Sequence, residues 1–163
     1  MRAVVQRVTE GAVNISALGY SRQIGKGMVI LLGVKTDDTE NDVQFAADKC
    51  SGLRIFEDEN GKMNLSLKDI DGEVLVISQF TLYGETAKGN RPSFTEAARP
   101  EQAIPLYHKF IQRMKQNLGD GKVKEGVFGE MMEVKIINDG PVTLIVESRV
   151  PLNKDGLKGV LPE

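Results

Sequence analysis

The residues best suited to chemistry lie where apolar runs turn polar. Val74-Leu75-Val76-Ile77 leads into Ser78-Gln79-Phe80-Thr81. A buried strand ending this way sets hydroxyl and amide groups at the rim of a core. There Ser78 or Thr81 can hold a substrate oxygen, or attack it if a neighbouring base takes the proton. The same hydroxyls can equally cap backbone groups at a strand end. The chain has one histidine, so a Ser-His-Asp triad would have to run through His108. In EQAIPLYHKFIQRMKQNL the apolar stripe is Ile104, Tyr107, Ile111, Met114 and Leu118. His108 falls beside it, among Lys109, Arg113 and Lys115, which is a solvated position. A histidine triad is thereby disfavoured, and lysines or carboxylates are left as bases.

Three further segments have two readings each. Asn138-Asp139-Gly140-Pro141 lies between apolar runs at 132–137 and 142–148 and reads first as a hairpin turn. A Gly-Pro bond can also be cis, which turns the glycine carbonyl in an unusual direction. Lys88-Gly89-Asn90-Arg91-Pro92-Ser93-Phe94 combines two cations, a glycine and an aromatic. That mix suits the phosphate and ribose of an RNA end, or a solvated loop with one anchor. In Gly126-Val127-Phe128-Gly129-Glu130-Met131-Met132, Phe128 either stacks on a base or plugs the core. The single cysteine, Cys50, excludes an internal disulfide and a multi-thiolate zinc site. Its neighbours Val43, Ala46, Ala47 and Leu53 at helical spacing suggest a core position, the alternative being a reactive thiol. No phosphate-binding loop, dinucleotide fingerprint, H-E-x-x-H or calcium loop occurs, so no metal and no nucleotide cofactor is expected.

The elements that must position these residues follow from periodicity. Residues 2–8 alternate, and Val13 and Ile15 extend the pattern past Gly11. Tyr20–Ile24 reads as a short strand, Gly25-Lys26-Gly27 as a hairpin turn, and 28–34 as a buried central strand. A helix is predicted over about 39–52, a strand at 53–56, a loop with an Asn-Gly turn at 57–62 and a strand from Val74. The region 83–100 is aperiodic, and a loop that long in a compact domain is usually functional or disordered. A second helix over about 101–118 carries Pro105 in its opening turn. The expectation is a single α+β domain over residues 1–150, with a mostly antiparallel sheet forming a partly closed barrel, two main helices and a peripheral tail at 151–163.

Composition sets the outer bounds. The 163 residues are 40% apolar and 27% charged, the ordinary balance of a soluble domain. No apolar run reaches the ~18 residues needed to cross a bilayer, and the alternating N-terminus is unlike a signal peptide. A cytoplasmic location and no membrane partner are expected. Net charge is −2. That speaks against gripping long stretches of phosphate backbone, so no DNA partner is expected. It leaves room for a site for one nucleotide at an RNA end.

Taken together, Met-Arg-Ala-Val-Val-Gln-Arg-Val, Ser-Gln-Phe-Thr-Leu, Arg-Pro-Ser-Phe, Gly-x-Phe-Gly-x-x-Met and Asn-Asp-Gly-Pro-Val-Thr resemble the D-aminoacyl-tRNA deacylase family. The motifs occur in order over residues 1 to about 148. The resemblance implies a homodimer with its site at the subunit interface, and the 3′ end of aminoacyl-tRNA as substrate. It implies hydrolysis of the ester between a D-amino acid, or mischarged glycine, and the terminal adenosine. A cis Gly140-Pro141 bond offered by one subunit would crowd out L side chains in the pocket of the other. Arg7 would hold that loop and Met132 would pack beside it. Ser78, Gln79, Phe80 and Thr81 would line the aminoacyl pocket, with the Phe80 amide as an oxyanion donor. Phe128 and Gly129 would lie near the adenosine. Two mechanisms compete under this resemblance. Either Thr81 forms an acyl-enzyme, or backbone donors and the tRNA 2′-hydroxyl assist an attacking water.

Overall fold

The computed structural model describes residues 1–149. The expectations for the tail after residue 150 lie outside the described residues. Strand β1 (Arg2–Ile15) runs unbroken through Gly11 for 14 residues. It is followed by β2 (Tyr20–Ile24) and β3 (Gly27–Gly33). Both pair antiparallel with β1 in one continuous register, since Ile15 faces Tyr20, Gly11 faces Ile24 and Val8 faces Gly27. β2 and β3 are therefore one arm with a short break. The expected hairpin at Gly25–Gly27 is not there. The reversal is at Ser16–Gly19, where Gly19 takes φ +58°, and residues 25–26 only interrupt the arm.

Helix α1 (Glu40–Gly52) starts at Thr39, whose backbone N–H donates to the Asp42 carboxylate at 2.8 Å in a capping box. Of the predicted strand at 53–56 only β4 (Phe56–Glu57) forms, paired with β5 (Met63–Leu65) across the Asn-Gly turn. Strand β6 (Glu73–Ser78) runs parallel to β3, and β7 (Val123–Glu125) runs parallel to β6. The sheet is mostly antiparallel, as expected, and is mixed through these parallel pairings. Helix α2 (Pro100–Leu118) places Pro105 beyond its first turn. The bond lost there is to the carbonyl of Glu101, an exposed residue that water can reach. Its buried stripe is Ala103, Leu106, Tyr107, Phe110, Ile111 and Met114, while Ile104 is on the exposed side.

Strand β8 (Glu133–Glu147) pairs antiparallel along the whole of β1, on the edge opposite β2 and β3. Each face of the sheet has its own core. Ala3, Val5, Val74 and Val76 pack under the helices, against Cys50, Tyr107 and Phe110. On the other face, Val8, Val13, Ile24, Leu75 and Ile77 fill the inside of the curled sheet. β6 alternates between the two cores, which is why it reads as a continuous apolar run. The curl brings β2 towards β7, where the Tyr20 hydroxyl donates to the Glu125 carbonyl at 2.6 Å. That contact nearly closes the barrel. No helix among the described residues is long and apolar enough to cross a membrane.

Candidate active site

Asn138–Pro141 is not a hairpin. The residues on either side continue in one direction along β1, with Val8 facing Asn138 and Gln6 facing Thr143. A single residue of β1, Arg7, therefore stands opposite the four residues 139–142, and the excess bulges out of the sheet. Two side chains hold the bulge. Asn138 spans its base, accepting from the Val142 N–H at 2.7 Å and donating to the Val142 carbonyl at 3.1 Å. Arg7, with a side chain only 7% exposed, donates to the Asp139 carbonyl through Nε and to the Ile55 carbonyl through Nη1, both at 2.8 Å. Gly140 has φ +143°, and a Cβ there would lie 2.9 Å from the Val142 nitrogen, so only glycine fits. The Gly140-Pro141 bond is cis, and both residues are exposed.

The polar end of β6 is built differently. Ser78 is its last residue, and the Gln79 N–H reaches across to the Leu32 carbonyl at 2.8 Å. The chain then makes a 3₁₀ turn over Phe80–Tyr83, anchored by buried Tyr83, which lies under the Arg2 guanidinium. Among the described residues the first backbone bond into this turn is Leu82 N–H to the Gln79 carbonyl. The N–H groups of Phe80 and Thr81 precede it and have no acceptor there, as expected at the start of a helical turn. The Thr81 hydroxyl accepts a hydrogen bond from the Gln79 amide.

Facing this rim is the segment 126–132. The Gly126 N–H donates to the Val76 carbonyl at 2.9 Å, and the Tyr107 hydroxyl lies 3.0 Å from that carbonyl and 3.1 Å from the carbonyl of Gly126. Burial pushes the Tyr107 phenol up, so it stays a neutral donor. Phe128 packs on Tyr107 with ring centroids 5.8 Å apart, and Gly129 turns the chain with φ +82°. A Cβ at Gly126 would meet Met132 Sδ at 2.6 Å, so the glycine makes room for that side chain.

Rim and facing segment enclose a cleft of about 300 Å³. Six of the residues singled out above line it: Ser78, Gln79, Phe80, Phe128, Gly129 and Met132. Thr81 stands beside it. Arg7, Gly140 and Pro141 do not line it; Arg7 and Asp139 instead border a separate hollow of about 80 Å³ with Lys26, Phe56 and Glu57. The chain therefore carries two separate constructions: a cleft lined by Phe80, whose amide has no acceptor among the described residues, and a braced, exposed Gly-Pro bulge. Exposed Ile137, Leu144 and Ile145 lie on β8 beside the bulge.

The ionisable groups leave little acid–base chemistry at the cleft. Among the described residues Glu130 is the only titratable side chain lining it. His108 is exposed on α2, and Cys50 lies on the buried face of α1, where desolvation pushes its thiol up to about 12. A larger hollow of about 500 Å³ lies between the ends of α1 and α2. Its Asp48 is committed to Arg113 at 2.7 and 2.8 Å and to Asn117 at 2.9 Å, so among the described residues it is lined by no free carboxylate. Sequence reasoning did not single out the Asn138 clamp, the Tyr107 strut or Glu130 at the cleft. A signal was present for the first, since an Asn side chain can pair with backbone groups of a loop, as a turn does.

Known proteins resemble this chain over nearly all of the described region. The family described as D-Tyr-tRNA(Tyr) deacylase matches residues 4–147. A protein named D-aminoacyl-tRNA deacylase from Porphyromonas gingivalis is 53% identical over 148 residues, 91% of this chain and 97% of that one. One of the same name from Thermotoga petrophila is likewise 53% identical, covering 91% and 97%. Among solved structures, "c-Myc DNA Unwinding Element Binding Protein" superposes with a TM-score of 0.86 at 41% identity, covering 92% of this chain and 100% of that one. A "probable eukaryotic D-amino acid tRNA deacylase" shares the fold at a TM-score of 0.78 and 17% identity, covering 90% and 98%. The chain belongs to the D-Tyr-tRNA(Tyr) deacylase family.

Proposed function

We propose that the protein is a D-aminoacyl-tRNA deacylase that works as a cytoplasmic homodimer, each cleft being completed by the Gly140-Pro141 bulge of the partner. The observation that carries this reading is the bulge itself. It is braced by Arg7 and Asn138, stands exposed, and does not line the cleft of its own protomer. A rigid backbone wall of this kind suits rejection of a side chain on one face of the substrate α-carbon. D residues and glycine pass, and L residues clash.

The chemistry is ester hydrolysis: water adds to the aminoacyl carbonyl, the bond to the terminal ribose breaks, and free amino acid and tRNA leave. The N–H groups of Phe80 and Thr81 are suited to hold the carbonyl oxygen as it gains charge. The Thr81 hydroxyl is engaged by the Gln79 amide and has no imidazole beside it, which favours water over threonine as nucleophile. The vicinal 2′-hydroxyl of the tRNA then serves as the nearby polar group that orients the water. An aminoacyl ester is already reactive, so positioning and oxyanion stabilisation are sufficient. Phe128 and Gly129 border the end of the cleft suited to the adenosine.

The test combines ester loss with assembly state. Purified protein should release D-tyrosine from D-tyrosyl-tRNA far faster than buffer, sediment as a dimer, and lose specific activity on dilution below the dimer dissociation constant. A fully active monomer would overturn the shared site, and no hydrolysis at any concentration would overturn the enzyme.

A further inference from the structure

The loop from Gly84 to Phe94 has no part in the reading above, yet it is more ordered than a solvated loop needs to be. Glu85 and Ser93 pair as an antiparallel bridge, with N–H to carbonyl distances of 2.7 and 3.0 Å. The Glu85 carboxylate is spent inside the loop, accepting from the Ala87 N–H at 2.6 Å. Gly89 turns the tip with φ +66°. Phe94 emerges from the bridge and packs edge-on against Phe80, with centroids 5.1 Å apart and planes at 69°. It also closes over Gly84, where a Cβ would lie 2.9 Å from its ring.

Phe80 lines the cleft, so the aromatic pair continues the cleft wall outward to the loop. Both rings remain accessible, Phe80 at 54% and Phe94 at 37%. At the tip, Lys88 and Arg91 are exposed, and among the described residues neither pairs with a carboxylate. An aromatic platform and two uncommitted cations carried on one loop, in a chain of net charge −2, are what holds a short single strand by base stacking and phosphate contact. We infer that Phe94, with Lys88 and Arg91, seats the unpaired nucleotides that precede the terminal adenosine of the RNA substrate. One base stacks on the Phe94 face, and the two cations take the adjoining phosphates. The inference rests on the deacylase reading for which RNA end is bound, and it assigns binding, not chemistry, to these residues.

The test uses an uncharged RNA minihelix ending in an unpaired CCA, a blunt minihelix of the same duplex, D-tyrosyl-tRNA and D-tyrosyl-adenosine. The variants are Phe94→Leu and the surface pair K88A/R91A, the second of which leaves no apolar contact to lose. Phe94→Leu should weaken binding of the CCA minihelix about tenfold. K88A/R91A should flatten the dependence of log affinity on log salt by about 1.4. Neither should alter binding of the blunt duplex. On D-tyrosyl-tRNA both should raise KM with kcat within about twofold, and hydrolysis of D-tyrosyl-adenosine should not change. Unchanged CCA binding in both variants, or an equal loss on D-tyrosyl-adenosine, would overturn the seat. If the wild type binds the minihelix in a Phe94-dependent way but cleaves no ester, the seat stands and the deacylase reading falls.

Discussion

Replacing Arg7 with methionine removes the fork that joins the Gly-Pro bulge to the rest of the molecule while keeping an unbranched apolar stem. The guanidinium donates to two main-chain carbonyls, of Asp139 and Ile55, each at 2.8 Å, and it is nearly closed to solvent. Hydrogen bonds to a charged group are worth about 1.5–3 kcal/mol each. Part of that returns when the buried charge itself is removed, and water can reach Asp139, whose side chain is 41% exposed. The net loss should be about 2–3 kcal/mol, or roughly 4–12 °C in Tm for a domain of this size. The functional loss should be larger. A bulge released from its brace and displaced by about 1 Å should slow hydrolysis of D-tyrosyl-tRNA on the order of a hundredfold. Arg7→Lys, which keeps the charge but cannot bridge both carbonyls, should fall between. Urea unfolding gives the stability difference, and single-turnover deacylation gives the rate. An Arg7→Met protein within about 0.5 kcal/mol of wild type and fully active would refute the bracing role.

Three further outcomes are expected. Thr81→Ala should deacylate within a few-fold of wild type, and loss of all turnover with normal folding would restore the acyl-enzyme route. Cys50, with its thiol pushed up to about 12, should have about one thiolate in ten thousand at pH 8 and resist disulfide reagents until the protein is unfolded; stoichiometric labelling of the native state would contradict its burial. For Asp42, burial opposes ionisation, but hydrogen bonds from Arg149, Ser148 and Thr39 outweigh it and hold the carboxyl well below the usual range. Its stabilisation is therefore complete above the unfolded value of ~3.9 and is lost as pH falls further. Asp42→Asn should be less stable than wild type at pH 7 and should lose less on going from pH 5 to pH 2, and an unchanged acid profile would exclude this contribution.

The sequence made some of this legible and hid the rest for identifiable reasons. Cys50 and Tyr107 were readable as core because α1 and α2 each bury one face at helical spacing. The end of β6 was readable as a site because four buried apolar residues give way abruptly to Ser78 and Gln79. The Asn138–Pro141 bulge reads as a hairpin in the sequence because turn residues have the same signature in both settings. Only the pairing of Gln6 and Val8 on β1, remote in sequence, shows that the strand continues past it. Gly25–Gly27 misled in the same way, since two glycines that interrupt an arm look like two that reverse it. Phe80 was marked by its motif and the Lys88–Phe94 loop by its composition, but their contact depends on the Glu85–Ser93 bridge, which no periodicity reports. The parallel pairing of β3, β6 and β7 likewise arises from long connections, which sequence spacing alone does not orient.

The most direct measurement is the time course of ester loss from D-tyrosyl-tRNA and L-tyrosyl-tRNA, matched in tRNA and buffer, at one enzyme concentration. A chiral deacylase whose Gly140-Pro141 wall excludes L side chains should remove the D ester completely while the L ester decays only at the buffer rate. Equal rates for the two esters would contradict chiral selection.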